Sequence, residues 1–202
     1  MTARIERTVV SGVFSLDGQD FDVDNNVWLV GDDDEVLVVD APHRAEPIVE
    51  AIGGRRVTAI VLTHGHNDHI TAAVALREAT GAPIWINPAD LVLWKSVHPE
   101  ALPDAPVGHG TRFSVAGTCL FSVHTPGHSP GSTSLYARDL DTVFTGDTLF
   151  CGGPGATGRS FSDHPTILNS IRSQLFSLHG DTVVKTGHGD DTTIAAELRT
   201  VQ

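Results

Sequence analysis

The 202-residue sequence contains little cysteine and no long apolar run. Cys119 and Cys151 are too few for a disulfide framework, and the absence of a CxxC spacing excludes thiolate zinc sites. No apolar run approaches the roughly 20 residues that cross a bilayer. The first residues, MTARIERTVV, lack the apolar segment of a signal peptide. We therefore expect a cytoplasmic protein with no membrane partner.

Basic residues are also scarce, with 13 Lys and Arg against 25 Asp and Glu and a formal net charge of −12. Such a surface repels phosphate backbones, so nucleic acid is not an expected partner. Hydrophobic residues make up 40% of the chain and charged residues 19%, as in ordinary globular proteins. No linker or repeat divides the sequence, and residues 1–202 are expected to form a single domain.

Short segments rich in Val, Phe and Trp alternate with helical patterns along the chain. The predicted strands include TVVSGVFSL, FDVDNNVWLVG, EVLVVD and VTAIVLT. The predicted helices are residues 45–54, which end in glycines, the amphipathic PTILNSIRSQLFSL, and DTTIAAELRTV, which Asp191 or Thr192 would cap. This order favours an α/β (α+β) fold with sheets held between helices.

Five polar side chains stand where predicted strands end. They are Asp40 after EVLVV, His64 after AIVLT, His128 after LFSVHTPG, Asp147 after VFTG and His188 after VVKTG. Side chains at strand ends converge from distant sequence positions on one edge of a sheet, and loops on a rigid scaffold commonly carry function. We expect these groups to meet.

The segment THGHNDH places three histidines and an aspartate within six positions. His64 and His66 can approach one ion from an extended turn, and Asp68 and His69, at the start of the next helix, can approach a second ion. Imidazole suits Zn, Fe and Mn, and a carboxylate adds a charged ligand. A single loop histidine is usually a surface residue, and Asp68 alone could be a helix cap. The density of the cluster favours metal binding.

The other histidines lack this strand-end pattern. We assign them to the surface or to loops: His43, His98, His109, His164 and His179. His124 ends a strand four residues before His128, and it either lines the site or is a packed structural residue.

The ordered motifs THGHNDH, TPGHSPGS, GDTLF and TGHG resemble those of the metallo-β-lactamase-fold hydrolases, and most of all the glyoxalase II-like (hydroxyacylglutathione hydrolase-like) branch. The resemblance implies a four-layer αββα sandwich. It also implies a ligand set: His64, His66 and His128 for one metal ion, Asp68, His69 and His188 for a second, and Asp147 as the bridge. Asp40 would support the site from behind by orienting a ligand.

The cofactors implied are two divalent ions, expected to be zinc, with iron or manganese as alternatives. Such ions would share a water and lower its pKa, and the resulting metal-bound hydroxide, positioned by Asp68, would attack a carbonyl carbon. Free thiols titrate near pH 8.5, so a thiolate leaves without protonation. The expected reaction is hydrolysis of a small-molecule thioester.

Two departures from glyoxalase II bear on the substrate. We expect no separate helical C-terminal substrate domain of the kind that glyoxalase II carries, and the loop over residues 151–163 is longer than the family's short turn. Glutathione specificity is therefore not carried over from the family, and a different low-molecular-weight thiol is the alternative. Arg159 is a candidate to bind an anionic part of the substrate, although the loop could instead be only a flexible turn.

Several other functions compete with thioester hydrolysis. A lactonase shares the ligand set, and a persulfide dioxygenase would use one iron ion and oxygen chemistry. A β-lactamase is disfavoured because the β-lactamases of this fold lack the bridging aspartate that Asp147 would supply. A non-catalytic binding protein is disfavoured because the ligand set is intact. The sequence leaves the oligomeric state open.

Overall fold

The computed structural model describes residues 3–201, which form fourteen strands and six α-helices. The strands are β1 (Arg4–Leu16), β2 (Gln19–Gly31), β3 (Glu35–Val39), β4 (Arg56–Val61), β5 (Ile84–Ile86), β6 (Ala105–Pro106), β7 (Arg112–Val115), β8 (Thr118–His124), β9 (Thr133–Ala137), β10 (Thr142–Gly146), β11 (Leu149–Phe150), β12 (Gly153–Pro154), β13 (Val183–Thr186) and β14 (Thr192–Thr193). The helices are α1 (Ala45–Ile52), α2 (Asn67–Ile70), α3 (Ala73–Thr80), α4 (Leu91–Val97), α5 (His164–Ser173) and α6 (Ile194–Glu197). Short 3-10 turns cover Pro88–Asp90, Arg138–Leu140 and Leu175–Ser177.

The strands form two six-stranded sheets and one small hairpin. The first sheet has the order β1-β2-β3-β4-β5-β6, and the second has the order β14-β13-β10-β9-β8-β7. Each sheet mixes antiparallel pairs with parallel ones, such as β3 with β4 and β10 with β13. The small hairpin pairs β11 with β12. Each half of the chain therefore builds one sheet.

Alternating apolar side chains bury both faces of each sheet. In β3, Leu37 and Val39 point to the other sheet and pack in the core shared with Leu120 and Phe144. The alternate residues Val36 and Val38 face the opposite way, into a core covered by α1, α3 and α4. A third core packs α5 and α6 on the outer face of the second sheet. These layers confirm the predicted αββα sandwich.

Local structure agrees with most sequence predictions and corrects some. Helix α1 ends at Gly53, whose φ of 63° is the left-handed conformation expected of a glycine cap. The predicted first two strands are longer than expected, because β1 and β2 pair along thirteen residues each as one hairpin. The predicted last helix is a single turn, and its N-cap is Thr193 rather than Asp191 or Thr192.

The polar strand ends lie at one edge of the sandwich. Asp40 follows β3, and the loop with His64 follows the parallel neighbour β4. Asp147 and His188 follow β10 and β13, which are parallel neighbours in the other sheet. Because the carboxyl ends of parallel strands share an edge, both sheets deliver their side chains to the same place. None of the described helices is long and apolar enough to cross a membrane.

Candidate metal centre

Three imidazoles meet in the first candidate ion position. Nδ1 of His66 lies 3.0 Å from Nε2 of His64 and 3.0 Å from Nε2 of His128. All three residues are buried. The first two come from the loop after β4 in one sheet, and His128 comes from the loop after β8 in the other. An ion held here would join the two halves of the chain.

Hydrogen bonds on the far side of each ring decide which nitrogen carries a lone pair. His128 donates from Nδ1 to the carbonyl of Ala156 at 2.8 Å. Thr63 Oγ1 donates to Asp40 at 2.8 Å and accepts from His64 Nδ1 at 3.1 Å. Both Nε2 atoms therefore present lone pairs to His66 Nδ1, which can supply at most one proton between them. Facing lone pairs in a buried space fit a bound cation.

The second candidate ion position combines two imidazoles with a carboxylate. Nε2 of His69 and Nε2 of His188 are 3.2 Å apart, and Asp68 Oδ2 lies 3.5 Å and 3.3 Å from them. His69 donates from Nδ1 to Asp40 at 2.8 Å, and His188 donates from Nδ1 to the carbonyl of Asp24 at 2.9 Å. Nitrogen lone pairs and a carboxylate oxygen thus converge, as a metal ion requires.

The carboxylate of Asp147 lies between the two groups. Its Oδ1 is 3.3 Å from Nε2 of His69, and its Oδ2 is 3.4 Å from Nε2 of His188 and 3.6 Å from Nε2 of His128. The structure therefore brings together all seven residues predicted as ligands, and it places Asp40 behind them. Zinc, iron and manganese all accept this donor set of imidazole and carboxylate.

The two positions differ in charge when no ion is present. Burial lowers the pKa of His66 to about 3, and burial together with His69 and His66 lowers the pKa of His64 well below its usual value. Burial also acts to lower the pKa of His188, but the carboxylates of Asp147 and Asp68 outweigh it and raise that pKa to about 10. His64 and His66 of the first position are therefore neutral, and the second position carries a protonated imidazole beside carboxylates.

The pKa of His69 follows the same balance. Burial acts to lower it, but Asp147, Asp68 and Asp40 raise it well above its usual value. Burial acts to raise the pKa of Asp147, yet His188 and His69 hold it well below the usual range. The carboxylate of Asp147 is thus ionised at neutral pH, in the state needed to bind cations.

Asp90 is a buried residue of the site that the sequence analysis missed. It accepts hydrogen bonds from Gly65 N at 2.8 Å, Ser129 Oγ at 2.6 Å and Gly131 N at 2.6 Å. The first donor lies between His64 and His66, and the others follow His128. Asp90 therefore joins the two loops of the first triad. In the sequence it resembles an ordinary helix-start aspartate, and no local pattern distinguishes it.

A cavity of about 480 Å³ lies over the ligand groups. Its apolar wall is formed by Phe14, Val23, Phe150 and Ala156. Phe14 belongs to the β1–β2 hairpin, and its ring centroid lies 5.3 Å from that of His66. Asp24 is the one titratable residue that the structure describes at this cavity outside the ligand groups.

Arg159 links the loop over residues 151–163 to the tip of the hairpin. Its guanidinium lies 4.6 Å from the ring centroid of Phe21 and donates to Gln19 Oε1 at 3.1 Å. Arg159 also lines a second, small cavity of about 30 Å³ beside His66 and His128. The predicted substrate-binding role of Arg159 stays a prediction.

The sequence leaves open whether His124 lines the site or is a structural residue. His124 donates from Nε2 to the carbonyl of Pro130 at 2.9 Å, which favours the structural role.

Comparison with known proteins agrees with the fold. Residues 21–188 match the family described as the metallo-beta-lactamase superfamily. The chain is 33% identical over 190 residues to hydroxyacylglutathione hydrolase GloC of Haemophilus influenzae, covering 86% of this chain and 90% of that protein. Two solved structures are similar: TTHA1623 in a di-iron-bound form (TM-score 0.77, 31% identity, 88% of this chain and 94% of the other) and the B3 metallo-beta-lactamase BLEG-1 (TM-score 0.78, 28% identity, 95% and 98%).

Proposed function

The chain belongs to the metallo-β-lactamase superfamily, and on that premise we propose that it is a metal-dependent hydrolase that cleaves thioesters at a two-ion centre. The observation that carries the proposal is the position of Asp147 between two complete ligand groups. A carboxylate in that position suits the pairing of two cations in front of one cavity. The similarity to a hydroxyacylglutathione hydrolase and to a structure in a di-iron-bound form supports the same proposal.

The residues would divide the work as follows. His64, His66 and His128 would hold one ion, Asp68, His69 and His188 would hold the other, and Asp147 would contact both. Two ions in such a site supply Lewis acidity and lower the pKa of a shared water, which makes hydrolysis possible at neutral pH.

Asp68 is suited to orient the attacking water. Its Oδ2 is engaged with His188, while Oδ1 is buried and has no hydrogen-bond partner among the described residues. A buried oxygen without a partner is costly, so it favours a donor such as the water O–H. The apolar wall with Phe14 and Phe150 would exclude other water and pack against the acyl group.

A thioester fits this cavity better than an ester with a poor leaving group. Apart from the ligand groups, Asp24 alone offers a titratable side chain there among the described residues, and Asp24 is exposed at the rim. A departing thiolate needs no proton at neutral pH, because free thiols titrate near pH 8.5. Because the described residues place no general acid in the cavity to protonate a leaving group, a substrate that releases a thiolate is favoured.

The test combines metal analysis with a substrate panel. Purified protein should contain two ions per chain and hydrolyse an S-acyl thioester faster than a lactone or a β-lactam. Asp147→Asn should lose most of this activity, whereas Asp181→Asn, at an exposed and remote carboxylate, should keep it. One iron per chain with oxygen uptake on a persulfide would contradict the proposal and indicate a persulfide dioxygenase. Preferential cleavage of the lactone would indicate a lactonase instead.

For Arg159 we propose contact with an anionic acyl group through the small cavity beside His66 and His128. The guanidinium has one hydrogen bond to Gln19 and retains other donors. Arg159→Gln should raise KM for thioesters whose acyl group carries a carboxylate and leave KM for neutral acyl groups unchanged. Equal changes for both classes would assign Arg159 to the hairpin contact alone. Thioesters of several thiols, glutathione included, would identify the thiol part.

A further inference from the structure

Asn25 in β2 lies against the second ligand group, although no sequence motif marks it. Its side chain is fully buried, and Nδ2 is 3.1 Å from Asp68 Oδ2, 3.2 Å from His69 Nε2 and 3.4 Å from His188 Nε2. Those three atoms are themselves 3.2 to 3.5 Å apart. The amide nitrogen therefore caps the triangle of ligand atoms from one side.

The orientation of this amide is fixed by its neighbours. Oδ1 of Asn25 accepts a hydrogen bond from Nε2 of His43 at 2.7 Å. The opposite end faces the carboxylate of Asp68, which accepts and cannot donate when ionised. The amide must therefore turn its N–H groups to Asp68 and its oxygen to His43.

His43 is held in place by an unusual backbone and a close glycine contact. Its φ is 49°, in the left-handed region that costs a side-chain-bearing residue energy. Its ring lies directly on Gly12 of β1, where any Cβ would overlap the imidazole. A strained residue against an obligatory glycine indicates a constraint beyond simple packing. The sequence pattern predicts only a surface or loop residue at position 43.

The residues on either side of Asn25 hold the loop that carries His188. The carbonyl of Asp24 accepts from His188 Nδ1 at 2.9 Å, and Asn26 N donates to Gly187 O at 2.8 Å. These two hydrogen bonds fix the position of Asn25 along β2 relative to the second ligand group. None of its side-chain contacts reaches the first triad.

We propose that Asn25, held by His43, is a positioning residue that sets the affinity of the second ion position and leaves the first unaffected. The amide N–H fixes the orientation of the Asp68 carboxylate, and the His43 contact fixes the amide. The inference rests on the proposed two-ion centre. It assigns a metal-related role to two residues outside the predicted ligand set.

Metal binding to the full chain tests the proposal directly. The variants are Asn25→Leu, which keeps similar volume without polar atoms, His43→Phe, which keeps a ring without Nε2, and the double variant. The two dissociation constants for Zn²⁺ are measured by competition with a chromophoric chelator, and Co²⁺ spectra report on each position separately. Melting of the metal-free proteins monitors folding.

The expected result is selective loss at the second position. Changes in residues that orient metal ligands commonly weaken binding about 10-fold to 100-fold. Asn25→Leu should weaken the second Zn²⁺ by that factor and leave the first within about 3-fold. His43→Phe should have a smaller effect of the same kind, and the double variant should match Asn25→Leu, because His43 acts through Asn25. His124→Phe, a partly buried histidine away from the second group, is the matched control.

Three outcomes would overturn the inference. An unchanged second constant in Asn25→Leu would remove the role of Asn25, and equal loss at both positions would make it a general stability effect. Additive effects in the double variant would remove the His43 relay. Should Asn25→Leu not fold, His43→Phe, which touches no ligand, still decides the question. A wild-type protein that binds one ion only would instead refute the two-ion centre itself.

Discussion

Replacing Asp40 by asparagine should weaken the second ion position by a predictable amount. Asp40 Oδ2 accepts from His69 Nδ1 at 2.8 Å and from Thr63 Oγ1 at 2.8 Å, and Oδ1 accepts from Thr63 N at 2.7 Å. Asparagine turns one of these acceptors into a donor. An NH2 group at the Oδ2 position would face the N–H of His69 and drive its proton to Nε2, the atom that faces Asp68 and His188. At the Oδ1 position it would face the N–H of Thr63 instead.

Either arrangement removes a hydrogen bond to a charged group, and the second also leaves the N–H of Thr63 without an acceptor. Such a bond contributes about 1.5–3 kcal/mol. At about 1.36 kcal/mol per tenfold change, the second dissociation constant should rise by about 10-fold to 160-fold. The first constant should change less, because Asp40 reaches His64 only through the hydroxyl of Thr63.

Chelator competition with Zn²⁺ measures both constants, and the melting temperature of the metal-free protein reports on folding. Asp32→Asn is the matched control, because Asp32 is also buried and accepts two backbone N–H groups, from Asp34 and Glu35, far from the site. A second constant within 3-fold of the wild-type value, in a folded Asp40→Asn protein, would refute the reasoning. So would a larger loss in the control.

Three further predictions concern other parts of the site. A Cβ at residue 187 would overlap Asp147 Oδ1, so Gly187→Ala should lose most hydrolytic activity and the second ion while keeping its far-ultraviolet circular dichroism; full activity would contradict the contact. The pKa of His188 is raised to about 10 and the pKa of His69 well above its usual value, so both imidazoles are protonated at pH 7 and each must lose its proton to solvent before it can bind a cation. Zinc affinity of the second position should therefore rise between pH 7 and 9 by up to tenfold per pH unit for each proton displaced, in chelator-buffered titrations, and an affinity independent of pH would contradict it. Glu197 is buried, and its carboxylate accepts from the backbone N–H of Gly152 in the loop over residues 151–163. Glu197→Ala should therefore lower the free energy of unfolding, measured in denaturant titrations, by about 1–3 kcal/mol. A decrease under about 0.5 kcal/mol would indicate that other contacts hold the loop.

The sequence was informative where chemistry and strand ends coincide. His64, Asp147 and His188 each follow a short apolar run, so both their type and their place in the fold could be read from local pattern. The layered architecture followed from the same runs, because strands buried on both faces require covering helices.

The sequence was uninformative where the partner is distant and the residue is ordinary. Asn25 lies inside a strand pattern and Asp90 at a helix start, and neither position hints at contacts 43 and 41 residues away. The paired length of the β1–β2 hairpin was also missed, since exposed polar residues near its tip hide the alternation. These features depend on tertiary register, which local propensity does not encode.

The hydrogen bond between His128 and the loop over residues 151–163 constrains how the sequence of this loop can diverge in evolution. Its acceptor is the carbonyl of Ala156, a main-chain atom that every amino acid provides. Side chains of the loop are therefore free to vary, and new substrate preferences can arise there without disturbing the imidazole behind them. Insertions and deletions have no such freedom, because they would move the carbonyl. Selection should tolerate diverse composition in this loop and conserve its length.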